Sequence, residues 1–178
     1  MTGRSIVFLD ETGLMLQPVV RRTWAPKAQT PVMYSWDRRD RLSVIGALSL
    51  SARKRRIGLY FVVYERNVTS EEVEAFLRDV QRSLGRELIV VLDRWAAHRK
   101  AAKALFGDRR FWIEWLPPYA PDLNPVECLW SHTKHDDLAN YVPDDVADLE
   151  WELESSFHQT GSRSELLRSF FHQTELVI

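Results

Sequence analysis

The sequence predicts a single α/β domain in which a central sheet is flanked by helices. Short apolar runs typical of buried strands alternate along the chain with segments whose apolar residues recur at helical spacing. With 178 residues, 45% of them apolar, the chain is long enough to bury a substantial core and still falls within the size range of one domain. We therefore expect one domain over residues 1–178.

Most of the predicted strands lie in the first half of the chain. The apolar run at 5–9 is typical of a buried strand and leads into DETG, which we interpret as a turn. We expect a short second strand within the otherwise irregular segment 14–41. Residues 42–51 and 57–64 are β-rich and flank a basic turn, a layout that predicts an antiparallel hairpin.

Helices and strands alternate in the rest of the chain. Thr69 to Glu72 carry N-capping and first-turn acidic signals, and apolar residues at helical spacing follow as far as Leu84. The continuous apolar run LIVVL at 88–92 predicts a strand covered on both faces. The remaining predictions are a helix at 98–106, a strand at 111–116, a proline-rich loop, a helix from about Asn124, and helices at 142–157 and 164–171.

Composition excludes several classes of protein. A single cysteine, Cys128, rules out an internal disulfide and any cysteine-rich zinc site. No apolar run approaches the roughly 18 residues of a membrane span, and the N-terminus lacks the layout of a secretion signal. We therefore expect a cytoplasmic protein with no membrane partner.

The net charge of −1 conceals a strong asymmetry along the chain. Up to Arg110 there are 21 Lys+Arg against 12 Asp+Glu, or +9; after it there are 3 against 13, or −10. The basic half suggests a surface that faces a polyanion. Its densest cluster, in the predicted hairpin turn, is either a DNA-backbone contact, which we favour, or a polar hairpin tip; it consists of Arg53, Lys54, Arg55 and Arg56.

Three carboxylates stand at positions suited to chemistry. Asp10 and Asp93 each follow an apolar strand, and catalytic groups gather at the carboxyl ends of strands in open α/β sheets. Neighbouring carboxylates have raised pKa values unless a cation neutralises them, and oxygen ligands suit Mg²⁺ or Mn²⁺. Together with Glu127, which begins the helix after the proline loop, they could hold two ions about 4 Å apart for phosphoryl transfer.

Each of these residues also has a purely structural interpretation. Asp10 and Asp93, taken singly, can be turn residues or helix caps. Glu127 fits a capping box, with Asn124 as the N-cap and Glu127 at the third helical position. Two tryptophans near the predicted site, Trp112 and Trp130, fit a core better than base stacking. From the residues alone, the sequence indicates no more than a possible metal site.

Three blocks of sequence resemble the active-site blocks of DDE transposases. The blocks are FLDETG at 8–13, LDRWAAH at 92–98 and LPPYAPDLNPVECLWSHTK at 116–134, and 33 residues separate the second and third acids. The stretch RRTWAPKAQTP at 21–31 is similar to the family as well. The resemblance covers roughly residues 5 to 135 and indicates the bacterial insertion-sequence branch of the mariner-like superfamily.

The resemblance implies a ribonuclease-H-like fold with a mixed central sheet and an active site of Asp10, Asp93 and Glu127 holding two Mg²⁺ or Mn²⁺ ions. His98 matches a histidine of the second block, and it either touches DNA phosphate or orders the site, or is simply a packed or capping residue. Lys134 lies two helical turns from Glu127 and either reaches DNA or is a solvated lysine. Arg94 departs from the asparagine that the family usually has there.

The resemblance also implies cleavage of double-stranded DNA at transposon ends, followed by attack of the freed 3′-hydroxyl on target DNA. Inverted repeats as substrate, a TA target and a homodimer on DNA are implied too. Full-length relatives carry N-terminal helix-turn-helix domains, which we do not find here, so we expect recognition to come from a separate domain or polypeptide. The alternatives are another ribonuclease-H-like nuclease, or a catalytically silent DNA-binding or assembly module.

Overall fold

The computed structural model describes residues 3–35, 40–53 and 56–174. Within them, five strands and five α-helices form one α/β unit, and the proline loop contains a 3-10 turn at Pro121–Leu123. A π-helical turn, Thr133–Asp137, follows the third helix. In chain order, the elements are β1 (Ser5–Met15), β2 (Arg41–Leu50), β3 (Ile57–Tyr64), α1 (Ser70–Leu84), β4 (Leu88–Leu92), α2 (Ala96–Ala104), β5 (Phe111–Trp115), α3 (Pro125–His132), α4 (Val146–Ser162) and α5 (Ser164–Gln173).

The sheet is mixed, as predicted. Its strand order is β3-β2-β1-β4-β5. The first three strands form an antiparallel meander, whereas β4 pairs in parallel with β1 and β5 pairs in parallel with β4. Parallel neighbours need crossover connections, which α1 and α2 provide. The predicted hairpin of β2 and β3 is confirmed.

Helices cover both faces of the sheet. One core cluster joins α1 and α2 to sheet residues such as Leu9 and Leu88, and the other joins α3, α4 and α5 to sheet residues such as Phe8 and Leu48. Alternate residues of β1 therefore point into different layers, because side chains alternate across a strand. This alternation decides which cluster each residue after Leu9 faces.

The expected turn at DETG is wrong, because β1 continues without interruption to Met15. Pairing of β1 with β4 ends at Phe8 and Val91, but pairing with β2 goes on through Thr12 and Gly13. Asp10 consequently lies in mid-strand rather than after a strand. It still lies where ligands are expected to bind, because it is just beyond the part of β1 that pairs in parallel with β4.

The short second strand expected within 14–41 is also absent from the described part of that segment. From residue 16 to 35 the β pairing that the structure shows is a single bridge between Val19 and Ala139. Prolines at 18, 26 and 31 lack the N–H that a strand would donate, which accounts for the irregular backbone. Trp24 in this segment is fully exposed.

Trp112 is not the core residue that we predicted. It lies on the edge strand β5 with 54% of its surface exposed, and its indole Nε1 donates a hydrogen bond to Glu114 at 2.7 Å. Trp130, in contrast, is buried as predicted. Within the described residues, no helix combines the length and the apolar character needed to cross a membrane.

Candidate active site

Asp10, Asp93 and Glu127 line one cleft of about 350 Å³. The cleft opens where the parallel strands β1 and β4 part, which is where ligands gather in sheets of this kind. Its walls are formed by Arg94 and Trp95 after β4 and by the proline loop from Leu116 to Pro121, with Asn124 at the start of α3. Three elements that are far apart in sequence thus each contribute one acid.

Asp10 is held by the indole of Trp130. The Trp130 Nε1–H donates to Asp10 Oδ2 at 3.0 Å. Gly46, the partner of Asp10 in the β1–β2 register, makes room for the indole, since a Cβ there would lie 2.4 Å from the ring. Burial first, and then the charge of Glu127, raises the pKa of Asp10 from 3.8 to about 7.

Asp93 lies one residue beyond β4, as the sequence predicted. Its Oδ1 accepts a hydrogen bond from the backbone N–H of Trp95 at 2.9 Å and also contacts Nδ1 of His98. The side chain is 54% exposed. Both contacts use the same oxygen, so Oδ2 takes part in neither of them.

Glu127 is the third residue of α3, but the capping box that would have explained it is not formed. The backbone N–H of Asn124 donates to the carbonyl oxygen of Pro121 at 2.8 Å, not to the Glu127 carboxylate. Asn124 caps the helix alone, with its Oδ1 accepting from the N–H of Val126 at 3.2 Å. The Glu127 carboxylate is therefore free to face the cleft, where burial and nearby Asp93 raise its pKa against the opposing effect of Lys134.

Asn124 also ties α3 to the sheet. Its Nδ2 donates to the carbonyl oxygen of Leu9, the residue before Asp10, at 3.4 Å. Since the same helix supplies Trp130 to Asp10, α3 is fixed to β1 at two points. These contacts set the position of Glu127 relative to Asp10.

His98 is buried beside the site and does not line the cleft. It is 1% exposed, and its two ring nitrogens contact two carboxylates, with Nδ1 on Asp93 and Nε2 on Glu11 at 2.9 Å. Burial lowers the pKa of His98, but the hydrogen bonds and charges of Glu11 and Asp93 outweigh burial, and the net pKa is raised. The edge of the Trp95 ring packs against the imidazole.

Lys134 lies beside the acids, as its spacing from Glu127 predicted. It belongs to the π-helical turn after α3, and its Nζ donates to the hydroxyl of Thr12 at 2.5 Å. Burial lowers the pKa of Lys134, while the charges of Glu127 and Asp10 act in the opposite direction. A half-buried cation next to an acidic cleft is well placed to meet a phosphate.

The basic hairpin turn lies away from the acids. Arg53 and Arg56 are exposed beyond the end of β2 that pairs with the start of β1, whereas Asp10 pairs with Gly46 further along. Gly46 is four residues from Leu50, the last residue of β2, which is roughly 13 Å along the strand, and the turn begins after Leu50. Lys54 and Arg55 lie outside the described residues. A DNA contact by this turn stays a prediction, and it would be made outside the cleft.

Three contributors to the site were not predicted from the sequence, namely Glu11, Thr12 and the polar role of Trp130. Glu11 and Thr12 belong to the DETG block. Because β1 continues through this block, its side chains alternate, and Glu11 and Thr12 lie on opposite faces of the sheet. Arg94, which departs from the family pattern, lines the cleft and places its guanidinium over the ring of Trp115.

The residues present suit a divalent cation. Asp10, Asp93 and Glu127 all line the cleft, and Asp10 and Glu127 carry raised pKa values, the sign of carboxylates that lack a neutralising partner. Across residues 3–35, 40–53 and 56–174, no three metal-binding side chains are already grouped closely enough to hold an ion. Glu127 would therefore have to move closer to Asp10 and Asp93 as an ion binds.

The mixed five-stranded sheet, with helices on both faces and acids at its carboxyl edge, defines a ribonuclease-H-like domain. The chain belongs to the DDE superfamily endonucleases, since the model of that family matches residues 5–150. A search of the curated proteins found no match.

Solved structures share this fold. The Mos1 transposase paired-end complex with left transposon end matches with a TM-score of 0.69 and 17% identity over 95% of this chain and 52% of that chain. The Mos1 strand transfer complex matches with a TM-score of 0.68 and 17% identity over 95% of this chain and 51% of that chain. A simian T-cell lymphotropic virus intasome matches with a TM-score of 0.50 and 15% identity over 87% of this chain and 48% of that chain. The chain thus spans about half the length of the chains that it matches.

Proposed function

We propose that this chain is the catalytic domain of a transposase, which cleaves DNA at transposon ends and joins the freed 3′-hydroxyl to target DNA. The observation that carries the proposal is the convergence of Asp10, Asp93 and Glu127 from three separate elements in one cleft. Membership of the DDE superfamily endonucleases supports it, and the intact set of acids favours an active enzyme over a silent assembly module.

In this proposal the carboxylates of Asp10, Asp93 and Glu127 would hold two Mg²⁺ or Mn²⁺ ions. Bound there, the ions would activate the attacking oxygen and stabilise the leaving oxygen of an in-line displacement. Solved complexes of Mos1 contain Mn or Mg, which supports this choice of metals. All three carboxylates belong to residues that line the cleft, where an ion would be bound.

The chain's own residues would bind and orient the substrate. Lys134 is close enough to Glu127 and Asp10 for their charges to act on its amino group, and it can pair with a phosphate of the DNA strand. Arg94 offers a second cation and lines the cleft. The proline loop fixes the third wall, because its ring-constrained backbone leaves little freedom to rearrange. Water and then a 3′-hydroxyl would enter by the same opening.

The partners follow as part of the same proposal. We expect double-stranded DNA as substrate, a homodimer that holds two transposon ends, and sequence recognition by a further domain or polypeptide. The Mos1 matches, which include paired-end and strand transfer complexes, support these expectations. We also propose that the protein acts in the cytoplasm, in association with the nucleoid.

A cleavage and joining assay tests the proposal. The chain is incubated with Mn²⁺ or Mg²⁺ and duplex DNA, and nicked and joined products are measured for the wild type, Asp93→Asn, Glu127→Gln and the control Glu87→Gln. Glu87 pairs with Arg4 at the start of β4, outside the cleft. We expect both cleft variants to lose about 100-fold or more, because loss of a ligand should exceed the effect of losing an outer partner. Undiminished cleavage in either variant would contradict the assignment.

A further inference from the structure

Glu11 follows Asp10 directly in sequence but serves a different part of the site. Alternation along β1 directs Asp10 toward α3, where Trp130 holds it, and Glu11 toward the opposite layer, where α2 packs. Glu11 is only 13% exposed and does not line the cleft. It is therefore not placed to be a fourth metal ligand.

The contact that Glu11 makes is with His98, and through His98 it reaches Asp93. Glu11 oxygens lie 2.9 and 2.8 Å from Nε2 of His98, and Nδ1 of the same ring contacts Oδ1 of Asp93. The imidazole, 1% exposed and packed against Trp95, has no room to turn away from either partner. Glu11, His98 and Asp93 thus form a hydrogen-bonded chain that connects β1 to the residue after β4.

We propose that Glu11 is a positioning residue, which fixes the orientation of the Asp93 carboxylate through the His98 ring. With Oδ1 held by His98 and by the N–H of Trp95, rotation of the Asp93 carboxylate is restricted at the wall of the cleft. Asp93 needs this support more than Asp10 does, because Asp93 is half exposed and follows the end of its strand. Outer partners of this kind typically contribute 10- to 100-fold in metal affinity.

This inference rests on the proposed metal site, so Mn²⁺ binding is the quantity to measure. Mn²⁺ affinity is determined by electron paramagnetic resonance, without DNA, for the wild type, Asp93→Asn, Glu11→Gln and Glu11→Asp. Glu11→Asp keeps the charge but shortens the side chain, and Glu87→Gln serves as a control for the loss of one carboxylate elsewhere. Near-UV circular dichroism confirms that each variant is folded.

We expect Glu11→Gln and Glu11→Asp to raise the Kd for Mn²⁺ on the order of 10-fold, and Glu87→Gln to leave it within about twofold. In a His98→Asn background the change of Glu11 should have little further effect, because the pathway to Asp93 is already broken. If His98→Asn does not fold, the comparison of Glu11→Asp with the wild type decides the matter.

Three results would overturn the inference. Wild-type affinity in Glu11→Asp would show that only the charge matters, and wild-type affinity in Glu11→Gln would show that Glu11 is structural alone. An undiminished effect of Glu11→Gln in the His98→Asn background would equally rule out action through the ring. The proposed function fails separately, when the wild type does not bind Mn²⁺ or when Asp93→Asn binds it as well as the wild type does.

Discussion

Asp10 is the residue at which folding and function conflict most. Its carboxylate is buried beside Glu127, and both effects raise its pKa to about 7. Ionising it without a cation costs folding free energy, and metal binding removes that cost. A residue of this kind is favourable for a metal site and unfavourable for the stability of the metal-free protein.

We therefore expect Asp10→Asn to stabilise the metal-free protein above neutral pH. The pKa in the folded state, about 7, exceeds the unfolded value of 3.8, so the stability from protonated Asp10 is complete below about pH 4 and is lost as pH rises through 7. At 1.36 kcal/mol per pKa unit, the loss is about 4 kcal/mol at most. Urea unfolding of both proteins in EDTA between pH 4 and 8 measures it; parallel pH profiles would contradict it.

How well the sequence predicted each site residue depended on whether its position was determined locally. Asp93 follows a continuous apolar run, and the strand ended there as predicted. Asp10 was placed at a strand end because DETG has the composition of a turn, yet pairing with β2 keeps those residues extended. The roles of Glu11 and Trp130 depend on partners 87 and 120 residues away, which no local pattern contains.

At the scale of elements, the packing of α3 against β1 and β2 builds the site. Gly46 on β2 lies under the Trp130 indole, whose N–H reaches Asp10. The helix therefore approaches the sheet as closely as a residue without a Cβ permits. The proline block was predictable as a rigid loop followed by a helix, but the depth at which the helix packs follows from a glycine in another strand.

Gly46→Ala tests this close approach. The added methyl would lie 2.4 Å from the indole, so we expect Trp130 to shift and the free energy of unfolding to fall by roughly 1 to 3 kcal/mol. Gly13→Ala is the matched control, because the nearest atom to its Cβ is a backbone oxygen at 3.9 Å. Chemical denaturation measures both variants. Equal stabilities for the two would refute the role that we assign to Gly46.

At the scale of the whole molecule, charge is distributed unevenly along the chain. The first 110 residues carry the excess of basic side chains, among them Arg53 and Arg56 of the hairpin turn. The acids of α4 lie in the last third of the sequence. The turn is too far from the cleft to touch the phosphate that reacts. Its contribution to DNA binding would be to the flanking backbone.

The double variant Arg53→Ala/Arg56→Ala should therefore weaken DNA binding uniformly across sequences. We expect the slope of log affinity against log salt concentration to become shallower by up to about 2, since each lost phosphate contact removes roughly one unit. Fluorescence anisotropy with two unrelated duplexes at several salt concentrations measures the slope. An unchanged slope would show that the turn is a solvated hairpin tip.

The central claim is that Asp10, Asp93 and Glu127 form one site for two divalent ions. Crystals grown or soaked with Mn²⁺ and measured near the manganese absorption edge test it most directly. We predict two anomalous peaks in the cleft, about 4 Å apart, both contacted by Asp10 and each by one of the other two acids. Peaks elsewhere on a protein saturated with Mn²⁺, or none among these carboxylates, would contradict the account.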